Sequence, residues 1–107
     1  MKYSIVPLKK ENDLNKILKV QKNSEEDIHI LFLSLWDDFS SKLEKRIKKK
    51  YSRKNPHAQK VYVVDSFNMP HSFVIFNTTK VPCLVSLEKG KVVIEDYLPR
   101  IYKKFRI

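Results

Sequence analysis

The chain has a single cysteine, Cys83. It cannot close an internal disulfide or cycle a dithiol within itself, and a reducing, cytoplasmic setting is the default expectation. It has one glycine, Gly90. That excludes glycine-rich phosphate cradles and flexible linkers, and predicts regular elements joined by short turns. Long apolar runs are missing. The longest near-apolar stretch, Ile28 to Trp36, contains His29 and Ser34 and is far shorter than a membrane helix needs, so no membrane partner is expected. The opening residues MKYSIVPLKKEND hold no sustained apolar core and no small-residue cleavage site, so no secretory signal is expected. The three histidines, His29, His57 and His71, have no cysteine or carboxylate at ligand spacing, and no serine sits in a nucleophile elbow. Neither a metal nor a cofactor is expected.

Positive charge is what the chain has in excess. Its net charge is +10 over 107 residues, a length that fits one domain, 1–107. Apolar residues make up 42 %, enough for a core. The charge is uneven. Lys42, Lys45, Arg46, Lys48, Lys49, Lys50, Arg53, Lys54 and Lys60 crowd one stretch whose only acid is Glu44, so residues 42–60 carry +8 of the +10. Any electrostatic account starts there.

The apolar spacing predicts alternating strands and helices. Tyr3 to Val6 reads as a strand closed by Pro7. Lys9 to Gln21 reads as a helix with Leu14, Ile17 and Leu18 on one face. Ile28 to Leu35 reads as a strand buried on both faces. From Asp37 a second helix is predicted, with Phe39, Leu43, Ile47 and Tyr51 as its buried stripe, lysines in its last turn, and Asn55-Pro56 as its stop. Lys60 to Asp65 is a β-branched strand, and a further helix is expected near Pro70. Val81 to Leu87 and Lys91 to Glu95 form a hairpin turning at Glu88-Lys89-Gly90. Asp96 to Arg106 closes the chain as a helix, with Leu98, Ile101, Tyr102 and Phe105 inward and Pro99 in its first turn. The order β-α-β-α-β-α-β-β-α implies an α/β fold, with a mixed central sheet flanked by helices.

From end to end this order resembles the thioredoxin superfamily. Four features carry the resemblance. The buried run ILFLSLW ends on a tryptophan just before a helix. That helix begins where the family places its Cys-x-x-C. Val81-Pro82 lies at a spacing similar to the family's cis-proline, Pro82 coming 45 residues after Asp37. LVSLEKGKVVI looks like the family's closing hairpin. The Trp-Cys-x-x-Cys motif maps onto Trp36-Asp37-Asp38-Phe39-Ser40, so Asp37 and Ser40 stand at the two cysteine positions. The family's chemistry needs a low-pKa thiolate and a resolving thiol one turn on. A carboxylate and an unactivated hydroxyl supply neither. The family's buried acid is also missing, with Leu31 and Leu33 in its place.

The resemblance therefore implies a redox-inactive thioredoxin-like binding or adaptor protein, not an enzyme, that acts through protein–protein contacts. Asp37 and Asp38 read as helix caps rather than as an acid/base pair or a metal site. Pro82 is expected to be cis, leaving the Val81 backbone open to an extended peptide. Cys83 reads as a small buried strand residue; the alternative is a lone thiol with monothiol redox activity. The basic surface of Lys42, Lys45, Arg46, Lys48, Lys49, Lys50, Arg53 and Lys54 suits an acidic protein partner or, as the alternative function, nucleic acid.

Overall fold

The computed structural model describes residues 3–22, 27–34, 36–51, 57–65, 69, 80–88 and 91–107. Along the chain these form β1 (Tyr3–Pro7), α1 (Glu11–Lys22), β2 (Ile28–Leu33), α2 (Asp38–Lys50), β3 (Gln59–Asp65), β4 (Cys83–Glu88), β5 (Lys91–Glu95) and α3 (Leu98–Phe105). The helix expected near Pro70 and the turn at Lys89-Gly90 lie outside the described residues. No described helix is long and apolar enough to cross a membrane.

The strands make one mixed sheet in the order β1-β3-β2-β4-β5. β1 and β2 run parallel to β3, while β4 runs antiparallel to β2 and β5 antiparallel to β4. The apolar run of β2 is central and buried throughout, so its alternate side chains feed two separate cores. Leu31 and Leu33 point with Val61, Val63 and Leu84 toward Leu43 and Ile47 of α2 and Ile101 and Phe105 of α3. Ile30 and Phe32 point with Tyr62, Val64 and Val85 toward Leu14 of α1 and toward Met69. Tyr3 closes the first core with T-shaped contacts to Tyr51 and Phe105, at centroid distances of 5.4 and 5.1 Å.

The elements end where local chemistry ends them. β4 begins at Cys83 rather than Val81, since Pro82 has no N–H to donate to a ladder. α3 begins at Leu98 rather than Asp96, with Tyr97 as its cap and Pro99 in its first turn. It ends on Arg106 in the left-handed region, φ 56°. The Tyr51 hydroxyl, just past α2, donates to the Phe105 carbonyl at 2.7 Å and ties α2 to α3.

One member of the expected buried stripe is displaced. Phe39 is 58 % exposed, and Ser40, at 1 %, takes the inward position. Helix geometry explains this. At 3.6 residues per turn, twelve residues from Phe39 to Tyr51 leave the two about 120° apart, whereas Ser40 and Tyr51 differ by about 20°. A run spaced by four drifts off the face, and Ser40, Leu43, Ile47 and Tyr51 are the residues that stay on it.

Candidate functional site

Parallel and antiparallel pairing bring the two segments singled out in the sequence to the same end of the sheet. β2 leaves the sheet toward Trp36 and α2. Antiparallel β4 enters there, with Cys83 in register opposite Phe32. Residues 36–40 and 80–82 therefore emerge side by side at this end.

Asp37 caps α2. Its backbone is extended, at φ −102° and ψ 123°, as an N-cap requires. Its Oδ2 accepts from the Ser40 backbone N–H at 2.9 Å and from the Ser40 hydroxyl at 2.9 Å. The Asp37 N–H in turn donates to the Ser34 carbonyl at 3.1 Å. Asp38 is an exposed acid in the first turn, placed to favour the positive end of the helix dipole. Asp37 and Ser40 thus form a closed cap. The Ser40 hydroxyl is buried and donates its hydrogen bond to the carboxylate.

Two large aromatics are exposed near this cap. Trp36 is 83 % exposed and Phe39, one turn away, is also largely in solvent. The Val81–Pro82 peptide is cis, with Pro82 buried and Val81 half-buried.

Cys83 does not open onto this surface. It is a free, buried thiol packed in the core under α1 with Ile30, Phe32 and Val85. Burial, and then the carboxylates of Asp96 and Glu95, push the thiol up to about 11. A thiol so raised and covered is a poor nucleophile.

The basic side chains Lys42, Lys45, Arg46, Lys48, Lys49 and Lys50 are all exposed on α2; Arg53 and Lys54 lie outside the described residues. Three of the six are engaged by neighbours. Lys48 pairs with Glu44 at 2.6 Å, Arg46 lies 5.2 Å over the Tyr102 ring, and Lys50 donates to the Arg106 carbonyl. Lys42, Lys45 and Lys49 fall within about 60° of one another on the helix, opposite the buried stripe. None of these three has a hydrogen bond or ion pair among the described residues.

The sequence gives little sign of one polar cluster. His29 and Ser86 are buried in adjacent strands, and His29 Nδ1 lies 2.7 Å from Ser86 Oγ. On the other side Nε2 lies 3.0 Å from Gln59 Oε1. That oxygen only accepts, so Nε2 carries the proton and Nδ1 takes the Ser86 hydroxyl. Burial holds the imidazole below its ordinary value of 6.5. The pair is covered by Tyr3, whose ring centroid is 5.6 Å from that of His29. A polar residue inside each of two otherwise apolar runs, His29 in Ile28–Leu33 and Ser86 in Cys83–Leu87, is the signal that could have flagged it. Among the described residues no three histidines, cysteines or carboxylates gather as a metal site.

No protein-family model and no curated protein sequence matches the chain. Solved structures do. Thioredoxin NaTrxh from Nicotiana alata superposes with a TM-score of 0.73 at 16 % identity, covering 99 % of this chain and 93 % of its own. Thioredoxin O2 from Arabidopsis thaliana, in the oxidized state, gives 0.72 at 20 % identity, covering 96 % and 92 %. The Plasmodium falciparum thioredoxin gives 0.69 at 17 % identity, covering 99 % and 88 %. The chain has a thioredoxin-like fold, and it lacks the cysteine pair of a Cys-x-x-C motif.

Proposed function

We propose that this chain is a redox-silent binding protein built on the thioredoxin fold, using the end of the sheet around Trp36, Phe39 and Val81 to hold a protein partner. The observation that carries the proposal is the hydrogen-bonded Asp37–Ser40 cap. On the resemblance drawn from the sequence these are the two cysteine positions, and the residues there are a hydrogen-bonded acid and alcohol rather than two thiols. The exposed indole of Trp36 beside Phe39 supports contact with a partner, since large aromatics anchor interfaces. The adjacent basic face suits a partner with acidic groups at its rim.

Affinity capture from native lysate, with and without nuclease, tests this. A protein retained after nuclease by the wild type, and lost with Trp36→Ala/Phe39→Ser, supports the reading. Capture indifferent to that variant refutes it.

One observation favours nucleic acid as a second reading. Among the described residues Lys42, Lys45 and Lys49 have no hydrogen bond or ion pair, and they align on one helix face, which fits a row of phosphates. An electrophoretic shift that weakens steeply with salt, and is abolished when these three become glutamate, supports that reading. No shift at low salt removes it.

A further inference from the structure

The two edges of the sheet are finished differently. At one edge β1 has Tyr3 buried and its next three residues half-buried, and it ends on Pro7, which blunts an edge. At the other edge β5 pairs only with β4. Among the described residues no second strand pairs with its outer side. Three consecutive apolar residues there are half in solvent: Val92 at 53 %, Val93 at 47 % and Ile94 at 50 %. Cross-strand register puts Val92 and Ile94 on the sheet face of Leu87 and Val85, and Val93 on the opposite face with Ser86. The strand thus shows apolar surface on both faces and free backbone groups between them. A soluble chain normally protects such an edge with charge, a bulge or a proline. This strand has no proline, and its charges sit only at its ends, Lys91 and Glu95.

Those end charges name the occupant. We propose that β5 pairs with β5 of a second copy of this chain, antiparallel about a two-fold axis at Val93, joining the two sheets edge to edge. In that register Val93 meets Val93, and Val92 meets Ile94 of the second copy. Lys91 meets Glu95 of the second copy, and the ion pair occurs twice by symmetry. Shifting the register by two residues would separate these charges and leave apolar side chains unmatched. Glu95 is already held in place: its Oε1 accepts from the Tyr97 N–H at 3.1 Å and its Oε2 lies 3.8 Å from Arg100. A fixed carboxylate at the strand end is therefore presented to the incoming lysine. Five-residue strands make a small interface, so the dimer is weak and concentration-dependent.

Sedimentation equilibrium at about 0.15 M salt, where the repulsion of two +10 chains is screened beyond about 8 Å, reads the association. The wild type is expected to rise from 12.8 kDa toward twice that mass as its concentration approaches about 100 μM. Val93→Lys sets two ammonium groups face to face and is expected to weaken association at least about tenfold. Lys91→Glu and Glu95→Lys should each fail to self-associate, while an equimolar mixture of the two should recover the dimer, because each copy then meets opposite charge. Lys91 and Val93 are exposed and Glu95 is half-buried, and circular dichroism checks that each variant stays folded. A wild type that remains monomeric overturns the proposal, including the case in which the edge serves a different protein's strand. So does a dimer unaffected by Val93→Lys, or a mixture that stays monomeric.

Discussion

Asp37 and Ser40 are joined by two hydrogen bonds, each 2.9 Å long, from the serine's backbone N–H and its hydroxyl to one carboxylate oxygen. A carboxylate three residues ahead of the serine accepts both from an otherwise unpaired helix N–H and from the serine's own hydroxyl. The site is organised for holding α2 in place, and the surface it supports is the exposed aromatic pair above it.

Removing the cap should therefore cost stability. Asp37→Ala leaves the Ser40 N–H and its buried hydroxyl without their acceptor and is expected to destabilise the fold by about 1–2 kcal/mol. Urea unfolding of the two proteins measures it. Asp37→Asn, which keeps an acceptor oxygen, should lose less. A neutral Asp37→Ala would show that the cap does not support the helix.

Cys83 should behave as a core atom. With its thiol raised from 9.0 to about 11, its thiolate fraction at neutral pH is about a hundredfold below that of an unperturbed thiol, and the side chain is covered. Aromatic disulfide reagents at pH 7 to 8 should label it only in denaturant. Rapid labelling of the folded protein would contradict this and revive a monothiol activity.

The acid limit of the fold should lie at His29. Its imidazole is neutral in the folded chain, held below the ordinary 6.5 by burial. Well above pH 6.5 neither state binds the proton and stability does not depend on this residue. As pH falls through 6.5, the unfolded chain takes a proton that the folded chain refuses, so stability falls until the folded value is reached. Urea midpoints between pH 7.5 and 5 should decrease in step with net proton uptake on unfolding. An NMR titration of His29 centred at or above 6.5 would contradict the account.

Periodic apolar residues made most of the architecture legible. The Ile28–Leu35 run announced a strand covered on both faces, of which Ile28–Leu33 forms β2, and Leu43 with Ile47 announced the inner side of α2. The cap was legible as well, because aspartate at a helix start has a local cause. Phe39 was misplaced because a spacing of four approximates a helical face only over two turns, and because a buried serine gives no apolar signal. The His29–Ser86 bond joins residues 57 apart in the chain, and only strand register brings them together. Lys91 to Glu95 was legible as the second arm of a hairpin; the exposure of Val92–Ile94 follows from its place at the end of the sheet, which composition does not encode.

The central claim is that the scaffold is intact and its redox centre is not. The most direct measurement is the reduction of a protein disulfide by dithiothreitol, comparing wild type with Asp37→Cys/Ser40→Cys. The account predicts that wild type adds nothing to the rate of dithiothreitol alone. It also predicts that the double variant, with two thiols at the start of α2, raises that rate. Turnover by the wild type above the reagent rate, lost in Cys83→Ser, would contradict it.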